Sequence, residues 1–182
     1  MAIGLGAHLV TPLSDVCDRD LDVEACSTLK FFGGGDASGH YFLLDWLSVG
    51  ARGALSVAVD PGSGSSAKAD ASQTLWRFSA ELRIDPPLLF SGMWLGAELG
   101  AAFLHESLLA HATTQKAFLL GAALGWDLFH FGDSLLLGLD ARLQLLTFSD
   151  KAPKLDAARM LYATKYGSQP WLSLGARFTY LF

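Results

Sequence analysis

No stretch of the chain approaches the roughly 18–20 uninterrupted apolar residues that a membrane-spanning helix requires. Yet 51% of its 182 residues are hydrophobic and the mean hydropathy is +0.33. The apolar content must therefore lie in short runs, which excludes helical insertion but not insertion as strands. No basic block is present and the formal charge is -5, so the electrostatic footprint of a nucleic-acid binder is missing. Cysteine is scarce. Cys17 and Cys26 sit in one acidic segment, where a bridge would close a small ring in an oxidising compartment; the alternative is two free thiols. Residues 1–10 have neither a basic n-region nor a continuous apolar core, so they are not read as a secretion signal. An exported form would then be a mature chain with an added methionine.

What the chain has is alternation. In residues 170–182, Leu172, Leu174, Ala176, Phe178, Tyr180 and Phe182 share one face while Ser173, Gly175, Arg177 and Thr179 share the other, because strand side chains alternate with period two. Similar segments recur upstream, and the spacing predicts eight strands over 2–11, 36–44, 47–59, 74–84, 88–104, 116–131, 134–148 and 170–182. Short connections with turn chemistry, Asp45-Trp46, Asp85-Pro86-Pro87 and Gly132-Asp133, alternate with longer polar segments at 13–35, 60–73, 106–115 and 149–169. The even strand number places both termini at the end with the short turns. The expected architecture is all-β: a single antiparallel eight-stranded transmembrane β-barrel forming one domain over residues 1–182, with short periplasmic turns and long extracellular loops.

Alternation alone does not say which face is inside, since a soluble sandwich turns its apolar face inward. Side-chain chemistry decides. All six lysines, Lys30, Lys68, Lys116, Lys151, Lys154 and Lys165, fall in expected loops or at a strand end, whereas a water-exposed sheet face normally carries lysine. The polar strand face instead holds Arg52, Arg77, Glu81, Arg83, Glu98, Asp127, Asp140, Arg142 and Arg177, interspersed with glycine. Near-neutral pairing of arginine with carboxylate suits a confined lumen, where an unpaired charge is costly. The opposite face runs Trp76, Phe78, Ala80, Leu82, Ile84, then Met93, Leu95, Ala97, Leu99, Ala101, Phe103, then Leu135, Leu137, Leu139, Ala141, Leu143, Leu145, with no charge in any series. A charge there costs about 2–4 kcal/mol at the bilayer midplane, so these series read as lipid-facing. Trp76, Phe103, Phe118, Trp126 and Tyr180 are placed to form interfacial girdles.

The chemical candidates are few. The charged residues of the polar face are expected to form a lumenal salt-bridge network filling the barrel, because an eight-stranded barrel is only just wide enough inside for side chains; a narrow or gated solute path is the alternative. His8 faces inward by parity. His105 and Ser107 face outward near a rim, with Glu106 on the other face, and a serine nucleophile needs a base and an acid to orient it. No outward acid is available on the adjoining strand, so His105 is read as a rim histidine and no catalytic residue is assigned. Asp15, Asp18, Asp20, Asp22 and Glu24 lack the EF-hand glycine and the acidic twelfth position, which is Leu29 counted from Asp18, so they read as a solvated acidic loop with no metal. Residues 60–66 read as a mobile loop tip.

The closing strand, with its terminal Phe182, resembles that of bacterial outer-membrane β-barrels, and the eight-strand pattern resembles the barrel domain of outer membrane protein A and its small relatives. The resemblance implies that Phe178, Tyr180 and Phe182 form a C-terminal assembly signal read by the outer-membrane assembly machinery. It also implies a bacterial outer-membrane location among lipid and lipopolysaccharide, a monomer, and a role in envelope integrity or surface contacts made by loops. The pair His105 and Ser107 resembles the arrangement in outer-membrane lipid A deacylases, but the fuller pattern of that family is absent. No cofactor and no nucleic-acid partner is expected. No peptidoglycan-binding domain follows Phe182 in this sequence, which argues against an anchoring role borrowed from larger relatives.

Overall fold

The computed structural model describes residues 1–13, 31–59, 71–86, 92–108, 111–149 and 167–182. Eight strands, β1 (Ala2–Pro12), β2 (Phe32–Leu44), β3 (Leu47–Ala58), β4 (Ala71–Ile84), β5 (Met93–Leu108), β6 (His111–Phe131), β7 (Leu135–Phe148) and β8 (Gly167–Leu181), pair antiparallel in chain order and close into a barrel. The closing seam runs from Ala2 opposite Leu181 to Pro12 opposite Trp171, and Phe182 N donates to Met1 O at 3.0 Å. Closure removes every edge, so the backbone donors and acceptors of the strands find partners inside the sheet. That is what permits a sheet to stand in hydrocarbon.

The apolar face points out. Leu5, Leu99, Leu139, Leu143, Leu174 and Phe178 are each more than half exposed, and none of the three outward series is interrupted by charge. Arg77, Glu98 and Arg142 are instead buried to 2% exposure on the inner side. A water-soluble protein would invert this arrangement. Outward aromatics gather toward both ends. Tyr41, Trp46, Trp126, Phe131 and Tyr180 stand nearer the termini, and Phe31, Trp76, Phe103 and Phe118 stand nearer the opposite rim.

Several strand limits depart from the sequence expectation. β2 begins at Phe32, not at residue 36, so the Gly33-Gly34-Gly35 run is strand. There the neighbouring strand comes close: a Cβ on Gly34 would lie 1.9 Å from the Leu55 carbonyl oxygen, an approach only glycine permits. The expected loop 106–115 contracts to residues 109–110, because the β5–β6 ladder continues to Leu108 opposite His111; polar side chains do not stop a ladder built from backbone groups. At the other end, the strand expected from residue 88 begins at Met93, preceded by Gly92 with φ of +85°, and residues 87–91 lie outside the described residues. Proline supplies no N–H to extend β4, and Asp127 N closes this end on Gly92 O at 2.9 Å. β4 and β8 start earlier than expected, at Ala71 and Gly167. Bulges near Leu43 and Leu128 interrupt the register of β2–β3 and β6–β7. Cys17 and Cys26, the acidic segment 15–24 and the segment 60–66 lie outside the described residues, and a Cys17–Cys26 disulfide finds no support.

Candidate functional site

The inward side chains form layers along the barrel axis. Nearest the termini, Trp94 on β5 is 2% exposed, and the guanidinium carbons of Arg83 and Arg177 each lie 4.7 Å from its ring centroid. Both arginines also reach Asp127 on β6, Arg83 Nη2 to Oδ2 at 2.9 Å and Arg177 Nη2 to Oδ1 at 3.2 Å. One carboxylate thus holds two cations against one indole, a desolvated cation–π arrangement. Gly125 makes room for it, since a Cβ there would lie 2.2 Å from the Trp94 ring. Arg83 donates further to Asp85 at the rim.

In the next layer Arg142 on β7 pairs with Glu81 on β4, Glu98 on β5 and Asp140 on its own strand. His40 Nε2 lies 3.1 Å from Glu81 Oε2. Above it, Arg52 Nη2 donates to Asp36 Oδ2 at 2.8 Å, and His8 Nδ1 lies 3.0 Å from the same oxygen. Among the described residues the hydrogen-bond partners of Arg77 are neutral: Gln144 Oε1 at 2.6 Å, Ser56 Oγ at 3.1 Å and His8 Nε2 at 2.8 Å. Two of these relay it to carboxylates, His8 to Asp36 and Gln144 Nε2 to Glu98 Oε2 at 2.6 Å. Because a guanidinium only donates, His8 Nε2 must accept, which places the proton on Nδ1 facing Asp36.

Asp36, His8 and Ser56, with Ser56 Oγ 2.8 Å from His8 Nε2, reproduce the order of contacts in a Ser-His-Asp triad. The geometry does not make a working base. The single Nε2 lone pair faces Arg77 Nη2 as well as the serine hydroxyl, and Ser56 is fully buried. The three residues serve to satisfy a buried cation.

Toward the opposite rim the lumen turns apolar. Val10, Phe32, Leu75, Ala102, Leu104, Ala117, Leu119, Leu146, Phe148 and Trp171 form one inward cluster at 5% exposure or less, with the Phe32 and Trp171 rings 5.6 Å apart. Gln73, Gln115 and Gln169 lie beyond it, also buried. The barrel is therefore filled by ions in its terminus half and by hydrocarbon in the other.

The nine charged residues singled out from sequence all face inward. Arg83, Asp127 and Arg177 meet at Trp94; Glu81, Glu98, Asp140 and Arg142 meet one layer above; Arg52 and Arg77 lie above those, joined through Asp36 and His8. Sequence reasoning passed over Asp36, Asp85, His40, Ser56, Gln144 and Trp94. Parity with His40 within the expected strand 36–44 puts Asp36 on the same face. With Asp36 and Asp85 included, the described lumen sets six carboxylates against five guanidiniums. Phe178 and Tyr180 face outward, and Tyr180 packs edge-on against Phe182 with centroids 4.8 Å apart. His105 Nδ1 lies 2.9 Å from Thr114 Oγ1; the side chains of Glu106 and Ser107 lie outside the described residues. No group of three or more metal-ligating side chains occurs among the described residues.

No family model matches the sequence, and no curated protein matches it. Solved structures do. Neisserial surface protein A aligns over 100% of this chain and 96% of its own, with a TM-score of 0.67 at 12% identity. The N-terminal β-barrel domain of Pseudomonas aeruginosa OprF aligns over 98% and 96%, with a TM-score of 0.52 at 13% identity. Ail, the attachment invasion locus protein of Yersinia pestis, solved with the heparin analogue sucrose octasulfate, aligns over 98% and 95%, with a TM-score of 0.52 at 14% identity. The fold is that of the small eight-stranded outer-membrane β-barrels.

Proposed function

We propose that the chain is a monomeric barrel of the bacterial outer membrane with a sealed lumen, whose role is structural or surface-directed and is carried by segments beyond the strands. The observation that carries this reading is the filled interior: a buried ionic network in the terminus half, backed by an apolar cluster at the opposite end. A filled eight-stranded barrel offers side chains, not a path. The outward leucines suit lipid and lipopolysaccharide contact, and the outward Phe178, Tyr180 and Phe182 suit recognition by the assembly machinery. Two of the similar structures support a surface role by their own descriptions, one as a surface protein and one as an attachment invasion locus protein. Within this reading the barrel acts without a cofactor and not as an enzyme.

Planar-bilayer recording of the purified, folded barrel tests the sealed lumen. The expected result is no stable unitary current. Steady currents that disappear on altering Arg77 or Glu98 would replace this reading with a narrow channel. The surface role is read in parallel, as adhesion to matrix-coated surfaces by cells carrying the intact chain or a chain with segments 14–30 and 151–166 shortened. Equal adhesion would remove it.

A further inference from the structure

We infer that the terminus-side mouth of the lumen is a blind half-channel: a vestibule open at the terminus end alone, which takes up water and small hydrophilic solutes and stops at the Trp94 layer. This rests on the sealed-lumen reading above and adds to it a sidedness. A cavity of about 190 Å³ lies at the terminus end, lined among others by His40, Ser48, Arg83, Asp85, Arg177 and Thr179. None of the apolar-cluster residues lines it. Its volume holds about six waters at ~30 Å³ each.

The residues that line this cavity carry buried polar atoms without a protein partner. Ser48 Oγ, Thr179 Oγ1, Arg177 Nε and His40 Nδ1 are buried and have no hydrogen-bond partner among the described residues, and their residues are all at most 8% exposed. A buried polar group left unsatisfied costs about 1–3 kcal/mol, so four such atoms around one cavity favour a filled, polar vestibule. Asp45 and Asp85 place carboxylates among its lining residues. The inner limit is set by Arg83 and Arg177 packed on Trp94, and the ion layer above it hands over to hydrocarbon at Leu75, Leu104 and Leu119. A hydrophilic molecule entering from the opposite rim passes Gln73, Gln115 and Gln169 and is then met by that hydrocarbon.

One-sided thiol labelling tests this. In a Cys17→Ser/Cys26→Ser background, Ser48→Cys, Thr179→Cys, Leu119→Cys and Asp133→Cys are each reconstituted in uniformly oriented liposomes, after a heat-modifiable gel shift shows that each is folded. A membrane-impermeant trimethylammonium methanethiosulfonate is then added to one side. Asp133, in the exposed β6–β7 turn, marks the terminus end. Ser48→Cys and Thr179→Cys should be modified from the side that modifies Asp133→Cys and not from the other, and Leu119→Cys from neither. No modification of Ser48→Cys or Thr179→Cys from either side, with Asp133→Cys reactive, overturns the half-channel and leaves the sealed barrel standing. Modification from both sides overturns both.

Discussion

Replacing Arg142 with methionine tests whether the ionic layer is held in a dry interior. The change keeps most of the apolar stem and removes the cation that Glu81, Glu98 and Asp140 share. Breaking a buried pair by deleting one partner costs about 3–5 kcal/mol, because the other charge remains without compensation. Here three carboxylates are affected unequally. Glu98 keeps Gln144 Nε2 at 2.6 Å and Glu81 keeps His40 at 3.1 Å, whereas Asp140 keeps no other ion pair among the described residues. The loss should therefore fall toward the upper limit, about 5 kcal/mol, or more than a thousandfold in the unfolding equilibrium at about 1.4 kcal/mol per decade. Urea unfolding of the lipid-reconstituted barrel, followed by tryptophan fluorescence, reads it. Neutralising the partners as well, in Arg142→Met/Glu81→Gln/Glu98→Gln, should recover most of the stability, since removing a whole buried ion cluster is far less costly than breaking it. A loss below about 1 kcal/mol for Arg142→Met is what a solvated surface pair gives, and would refute a dry ionic layer.

Two further changes probe the wall. Gly125→Ala drives a Cβ into the Trp94 ring at 2.2 Å, so it should cost about 1–3 kcal/mol as overpacking and alter the near-ultraviolet circular dichroism of the buried indole. Gly39→Ala, whose Cβ would meet nothing within 4 Å, is the matched control. On the outer face, Leu139→Arg should cost about 2–4 kcal/mol in a lipid bilayer; a variant as stable as the parent would place Leu139, 53% exposed, in water.

The outer wall was legible because lipid imposes a rule on every second residue. Trp76 to Ile84, Leu135 to Leu145 and the β8 series each carry an uninterrupted apolar parity, and each occupies the outer face. The closed eight-strand order followed from the same alternation. The strand ends were less legible, because ladders are backbone structures: residues 106–108 and 111–115 read as loop by polarity yet pair across a hairpin, and Gly33 to Gly35 carry no side chain to show a parity. Trp94 escaped notice for a different reason. On its own strand it is one aromatic beside Met93 and Leu95, and only the cross-strand register brings it to Arg83, Arg177 and Asp127.

The apolar half of the lumen is where sequence patterning fails on physical grounds. In runs such as Phe118-Leu119-Leu120 and Leu145-Leu146, both faces are hydrocarbon, so period two vanishes and nothing in the strand itself marks Leu119 or Leu146 as inward. Their partners lie on other strands: Leu75 on β4, Leu104 on β5, Trp171 on β8 and Phe32 on β2. A polar lumen throughout would let the ions of one half be hydrated from either end. An apolar half removes that symmetry, because water gains nothing by entering a closely packed hydrocarbon layer. The same residues that erased the sequence signal therefore give the barrel a wet end and a dry end, and the direction of hydration is set by which half of each strand carries leucine inward.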